Sequence, residues 1–249
     1  MPKTILITGA SSGLGEEMAR QFAALGYNLA LCARRTDRLS TLQTELAGRY
    51  PGQRFEIRAL DVNDHDQVFD VFAAFAADFG TLDRVIVNAG LGKGAPLGTG
   101  RFDANRETAM TNFVAALAQV EAAMQIFRAQ DAGHLVTISS MSAMRGMPKG
   151  GTTYAATKAG VAHLAEGLRA ELMRTPIKVS VVYPGYIRSE MHERVKSPPF
   201  MVSTEVGVRA MVDAIEKEKP KAYVPSWPWV PLGAALRYLP LPVARRFMS

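Results

Sequence analysis

Lys3-Thr4-Ile5-Leu6-Ile7-Thr8-Gly9-Ala10-Ser11-Ser12-Gly13-Leu14-Gly15 puts an apolar, β-prone run directly before a glycine-rich turn. Lys3 to Thr8 reads as a strand buried on both faces, and the amphipathic stretch after Gly15 reads as a helix. A strand, a turn and a helix in that order predict a parallel α/β unit. Gly9, Gly13 and Gly15, with Ser11, Ser12 and Leu14 between them, let backbone amides approach a pyrophosphate at the positive end of the helix. The spacing departs from the dinucleotide fingerprint G-x-G-x-x-G, and a tight connection is the plainer reading of such a turn taken alone.

The alternation continues outward from this unit. A second strand, Asn28 to Ala33, ends at Arg34-Arg35, about where a NAD-binding unit carries an acidic residue for the ribose 2′-hydroxyl. Two guanidiniums there suit a 2′-phosphate, so NADP(H) is expected in preference to NAD(H). The plainer reading is a solvated basic loop, with Asp37 pairing either arginine. A helix (37–48), a strand (54–60), a helix (64–79) and a strand (83–88) follow. The third strand ends at Asp61-Val62 and the fourth at Asn88-Ala89-Gly90, at carboxyl ends where open sheets hold ligands. A loop over 91–105 precedes a long helix expected over 106–129, whose Asn112 needs hydrogen-bond partners if buried. A fifth strand, His134 to Ser139, leads into Ser139-Ser140-Met141-Ser142. A sixth, Lys178 to Tyr183, ends at Pro184-Gly185-Tyr186-Ile187-Arg188-Ser189. The pattern predicts one domain over 1–249, a Rossmann-like doubly wound parallel sheet with helices on both faces in three α/β/α layers.

Tyr154 and Lys158 stand four residues apart at the start of a helical stretch, on one face. A phenol has a pKa of about 10, and a fixed cation nearby favours the phenolate and eases proton transfer to a carbonyl oxygen. The same spacing is common on solvated helix faces. A hydroxyl leaving the fifth strand can face the phenol.

Composition narrows the classes. The 249 residues are 48% hydrophobic with a net charge of +6, enough apolar content for a sizeable core. The basic residues are spread without a nucleic-acid-binding motif, so no nucleic-acid partner is expected, and an anionic small molecule accounts for the charge. No metal site is expected. The single cysteine, Cys32, lies in an apolar run and reads as a buried small hydrophobe, as in a reducing cytoplasm. Met1-Pro2-Lys3 leads into the first strand without a signal-peptide layout, and there is no apolar run of about 20 residues, so a soluble cytoplasmic body is expected.

Taken together, these motifs resemble the short-chain dehydrogenase/reductase family in its single-domain form. The resemblance runs over about residues 3–190 and rests on the Thr8 to Gly15 turn, Asp61, Asn88-Ala89-Gly90, Asn112, Ser140, Tyr154 with Lys158, and Pro184-Gly185. It implies that Tyr154 is the general acid or base, that Ser140 bonds the substrate oxygen, and that Lys158 holds the nicotinamide ribose and favours the tyrosinate. It also implies that Asn112 supports a water linking Lys158 to solvent. Asp61, Val62, Asn88, Ala89 and Gly90 would line the adenosine and ribose, and Pro184, Gly185, Ile187 and Ser189 would flank the nicotinamide. A homodimer or homotetramer through the helices carrying Asn112 and Tyr154 is implied as well. Thirteen residues separate Ser140 from Tyr154 where the family usually has twelve; Gly150-Gly151 reads as the insertion, and Ser139 and Ser142 stay as alternatives. Ser189 stands where Thr is common, and either hydroxyl can bond a carboxamide.

Residues 190–203 fall where the family has a mobile substrate loop. Met191, Pro198, Pro199, Phe200 and Met201, with Met144 and Met147 facing them, predict an apolar substrate; plain core is the alternative. From Val224 the chain is rich in Pro, Trp and Arg. A tail packed over the sheet edge, the pocket or a second subunit is expected in preference to a membrane-surface foot. The expectation for the whole is an NADPH-dependent carbonyl reductase or alcohol dehydrogenase. The rival is an NADP(H)-binding regulatory or scaffold protein without significant turnover.

Overall fold

The computed structural model describes residues 2–190 and 199–247. Seven strands form one sheet: β1 Thr4–Thr8, β2 Asn28–Ala33, β3 Phe55–Ala59, β4 Arg84–Val87, β5 His134–Ile138, β6 Lys178–Pro184 and β7 Lys221–Val224. Their order is β3-β2-β1-β4-β5-β6-β7, and every pairing is parallel. This is the expected doubly wound sheet, with β7 added beyond the six strands read from sequence.

Alternation along each strand builds the two outer layers. On one face Leu6, Val85 and Leu135 pack with Phe72, Phe75, Phe127 and Val161. These come from α3 (His65–Phe79), α5 (Ala115–Gln130) and α6 (Gly151–Glu171). On the other, Ile5, Ile7 and Leu29 pack with Met18, Phe22, Leu39, Leu46, Met211 and Ile215 of α1 (Gly13–Ala24), α2 (Thr36–Arg49) and α7 (Thr204–Glu216). Truncating a fully buried phenylalanine such as Phe72 costs about 3–5 kcal/mol. Local signals set the ends of α3: Asp64 caps it by accepting from the Gln67 amide at 3.1 Å, and Gly80 at φ 77° stops it.

Beneath the sheet, Arg84 donates to His134 Nδ1 at 3.0 Å and to Glu216 at 2.5 Å. His134 Nε2 meets Ser180 Oγ at 2.8 Å. Burial first, and then the Arg84 charge, hold the His134 imidazole down at about 3, so it stays neutral at ordinary pH. The network ties the amino ends of three neighbouring strands and leaves their carboxyl ends for the site.

One expectation changes. The helix read over 106–129 is three pieces: α4 (Phe102–Ala109), a π-helical turn Met110–Val114, and α5. The wide turn carries Asn112, as such insertions often do near functional sites. The proline-rich tail forms α8 (Ser226–Tyr238) and α9 (Leu241–Ala244). Trp227 is non-helical at φ −100°, ψ 132°, so Pro228 opens the helical turn, where an amide has no intrahelical partner to lose, and Pro231 forfeits only the first bond of the helix. Among the described residues no helix is long and apolar enough to cross a membrane.

Candidate active site

The carboxyl ends of β1 and β4 diverge where the strand order reverses, and a cleft of about 530 Å³ opens there. It is lined by Gly9, Ser11, Ser12, Gly13, Leu14, Arg34, Arg35, Asp61, Val62, Asn88, Ala89, Gly90, Ser140, Tyr154, Lys158, Pro184, Gly185, Ile187 and Ser189. Residues spread from 9 to 189 therefore meet in one place. Gly15 and Asn112 stand behind this lining.

The turn after β1 is held open by its glycines. Gly9 has φ +65°, and an added Cβ would lie 2.9 Å from Ala89 Cα; at Gly15 it would lie 2.3 Å from the Gly9 carbonyl oxygen. Asn88 braces the same turn by donating from Nδ2 to the Thr8 carbonyl at 2.9 Å, while Thr8 Oγ1 accepts from the Asn88 and Ala89 amides at 3.0 and 3.1 Å. The amino end of α1 opens onto this bare backbone. That cradle fits a dinucleotide diphosphate, which needs close backbone approach and a positive helix end.

At the rim, Arg35 donates to Ser12 Oγ at 2.5 Å and Ser11 Oγ at 3.4 Å. The carboxylate that meets it is Glu190, with Arg38 as the second cation, where the sequence suggested Asp37. Arg38 had a local signal that went unread, since it sits one turn after Arg35 on α2. Glu190 had none, being 155 positions away from Arg35. On the opposite wall Asp61 Oδ1 accepts from the Asn63 amide at 3.0 Å, and Asn63 takes a hydrogen bond from Thr111 at 3.2 Å. Asn63 and Thr111 are further lining residues that sequence reasoning missed.

At the other end, α6 is locked to the end of β5. Lys158 Nζ donates to the Ile138 carbonyl at 2.9 Å, and Ser139 Oγ donates to the Lys158 carbonyl at 2.8 Å. That bond commits Ser139 to structure. Ser140 begins the 3₁₀ turn Met141–Met144 by accepting from the Ser142 amide at 3.1 Å, and it lines the same cleft as Tyr154. Ser140, rather than Ser142, lines the cleft. Lys158 Nζ lies 6.0 Å from the centre of the Tyr154 ring. Asn112 is buried and clamps Leu91 at both backbone atoms, each at 2.8 Å; its Oδ1 and Lys158 Nζ converge on Gly90.

The electrostatics differ from the expectation of an activated phenolate. Burial raises the Tyr154 phenol above its ordinary value, the neighbouring Ser140 hydroxyl opposes this, and Tyr186 adds to it. Burial also lowers the Lys158 ammonium to about 8. Desolvation outweighs the mutual benefit of a cation near a phenol because both groups sit inside the wall of the cleft. A neutral phenol at physiological pH is a proton donor.

The tail packs over the end of β6. An aromatic cluster joins Tyr186 to Trp229 at 5.7 Å and Phe200 to Trp229 at 6.3 Å between ring centres. Arg145 Nη1 holds the end of α8 by donating to the Leu236 and Leu239 carbonyls at 3.0 and 2.7 Å. Met144 packs against Gly233 of α8, and Met147 against Gly151. Of the anticipated substrate loop, Met191 and Pro198 fall outside the described residues, as does the rest of 191–198.

A doubly wound sheet with a glycine-rich backbone cradle at its switch point and a Ser, Tyr and Lys group beside it is the arrangement of a nucleotide-dependent enzyme class. The family model described as short chain dehydrogenase matches residues 3–199, and the chain belongs to that family of oxidoreductases. A Mycobacterium tuberculosis protein called an uncharacterized oxidoreductase is 54% identical over 243 residues, covering 98% of this chain and 96% of that one. A solved short-chain dehydrogenase from Sphingobium yanoikuyae in complex with NADPH is 28% identical, with TM-score 0.82, covering 94% of this chain and 93% of that one. A Burkholderia phymatum short chain dehydrogenase/reductase in complex with NAD has TM-score 0.84 over 98% of this chain and 95% of that one; at 22% identity it shows the fold alone.

Proposed function

We propose that this oxidoreductase reduces an apolar ketone or aldehyde with NADPH, and that Tyr154 is its proton donor. The observation that carries the reading is the meeting of Ser140, Tyr154 and Lys158 at one end of a cleft whose other end holds the glycine turn and Arg35. When bound, the nicotinamide supplies the hydride. The chain supplies position and protons. Ser140 Oγ and Tyr154 Oη hold the substrate oxygen, and Tyr154 Oη gives it the proton as negative charge develops. Lys158 holds the nicotinamide ribose. It stabilises the tyrosinate left behind, and Asn112 supports a water through which the proton is replaced.

The turn from Gly9 to Gly15 takes the diphosphate, while Asp61, Val62 and Asn88 to Gly90 take the adenosine and ribose. Arg34 and Arg35 face a 2′-phosphate, and Pro184, Gly185, Ile187 and Ser189 flank the nicotinamide. The Tyr186, Phe200 and Trp229 cluster supports an apolar substrate. Reduction is the working direction because cytoplasmic NADP pools are kept reduced, and the cytoplasm is the proposed location. The chain works as one domain. Exposed Met110 and Leu117 support a homodimer or homotetramer through the helices that carry Asn112 and Tyr154.

The test is steady-state oxidation of NADPH, with NADH in parallel, against carbonyl compounds running from small polar to large apolar. Turnover with NADPH on the apolar members is expected. Better turnover of small polar ketones, or tight NADPH binding without turnover on any member, would overturn the reading.

A further inference from the structure

The rim assigned above to the adenosine ribose already contains an anion of the chain's own. Glu190 Oε2 accepts from Arg35 Nη1 at 3.1 Å, and Glu190 Oε1 accepts from Arg38 Nη1 at 2.5 Å. Arg35 turns its remaining edge to Ser12 and Ser11 at 2.5 and 3.4 Å. Two guanidiniums from the start of α2, two hydroxyls from the glycine turn and one carboxylate from beyond β6 thus close a ring at the cleft mouth. The formal charge of these three ionic groups is +1, where the two guanidiniums without Glu190 would carry +2.

A 2′-phosphate brings about −1.5 to −2 charges, and its natural partners are the same two guanidinium edges. It cannot use them fully while Glu190 does, and a carboxylate beside it repels it. Hydrogen bonds from Arg38 and then Arg35 keep Glu190 below the usual carboxylate range, so it stays charged at neutral pH. All three side chains are close to half exposed. Such pairs are individually weak and yield to a stronger anion. An adenosine ribose without the phosphate does not need these edges and leaves the ring intact.

We propose that Glu190 is an internal competitor for the 2′-phosphate seat and sets the balance between the two nicotinamide cofactors, with Arg38 joining Arg34 and Arg35 as a further cation of that seat. The inference rests on the proposed placing of the adenosine half at this rim. It makes residue 190 a specificity determinant that acts by subtraction, lowering affinity for the phosphorylated cofactor and leaving the other unchanged.

Calorimetric titration of the full chain with 2′,5′-ADP and with 5′-ADP tests it, using wild type, Glu190→Gln and Glu190→Ala at low salt. Both variants are expected to bind 2′,5′-ADP about three- to tenfold more tightly, the scale of one or two exposed ion pairs, with 5′-ADP changed less than about twofold. The gain should shrink at high salt. If wild type prefers 2′,5′-ADP and neither variant improves on it, the competitor role is overturned while the NADPH reading stands. If wild type shows no preference and the variants acquire one, the role is supported and the NADPH preference of wild type is overturned. If no protein distinguishes the two nucleotides, both fall.

Discussion

The indole of Trp229 lies directly on Gly185: a Cβ built at residue 185 would fall 2.0 Å from Trp229 Cε2 and 2.1 Å from Nε1. Gly185 donates its amide to the Val224 carbonyl at 2.9 Å, so strand end, edge strand and tail helix meet at one point. Only hydrogen at position 185 lets the tail close there. Gly185→Ala should destabilise the chain by about 1–3 kcal/mol through overpacking. The double variant with Trp229→Leu should be more stable than the sum of the two single changes by about 1 kcal/mol or more in urea denaturation. Additive losses would mean that the tail does not press on this strand end.

Arg145 ties the end of α8 to the loop that follows Ser140. Arg145→Ala removes charge-assisted bonds to the Leu236 and Leu239 carbonyls and should cost about 1–2 kcal/mol. Hydrogen exchange would rise over 226–239 and leave β1 and β4 unchanged. Uniform acceleration across the sheet would contradict a local anchor.

Tyr154→Phe keeps the ring in its wall and removes the proton. On the proposed mechanism, kcat should fall about 10²- to 10⁴-fold, the usual scale of general acid catalysis, while NADPH affinity stays within about twofold. Retention of a tenth or more of wild-type turnover would exclude Tyr154 as the donor.

Lys158 sets a pH dependence whose sign follows from its burial. The ammonium stands at about 8 in the folded chain against 10.5 as the ordinary value. Below about 8 the folded state therefore carries the full cost of a buried charge. The cost shrinks between 8 and 10.5, as folding comes to prefer the neutral amine. Lys158→Met should accordingly be more stable than wild type at pH 7, by about 2 kcal/mol after the lost bond to Ile138 is counted. The advantage should be much smaller at pH 10. Urea denaturation at the two pH values checks this; an advantage independent of pH would show that the ammonium is not desolvated.

What was legible in the sequence was legible because it is local. Ile5, Leu6 and Ile7 before a glycine turn specify a buried parallel strand and a backbone cradle. Tyr154 and Lys158 share a face because a helix repeats every 3.6 residues. The family motifs then predict which strand ends come together, and the sheet order agrees. Asp64 and Gly80 likewise bound α3 by capping chemistry that needs no distant partner. The Ser139, Ser140 and Ser142 alternatives could not be separated this way. Successive residues leaving a strand point to opposite sides, so one hydroxyl turns in to the Lys158 carbonyl and the next lines the cleft with Tyr154.

The tertiary structure alone decided the rest. Glu190 on Arg35 and Arg38, Trp229 on Gly185, and Asn112 clamped to Leu91 join residues between 21 and 155 positions apart. Nothing in a local window encodes such pairs. The state of the Tyr154 and Lys158 pair also belongs here. Spacing predicted mutual activation, but the balance between a neighbouring charge and desolvation depends on how much of the chain covers both groups, and that is set only when the sheet, α6 and the loops before them have packed.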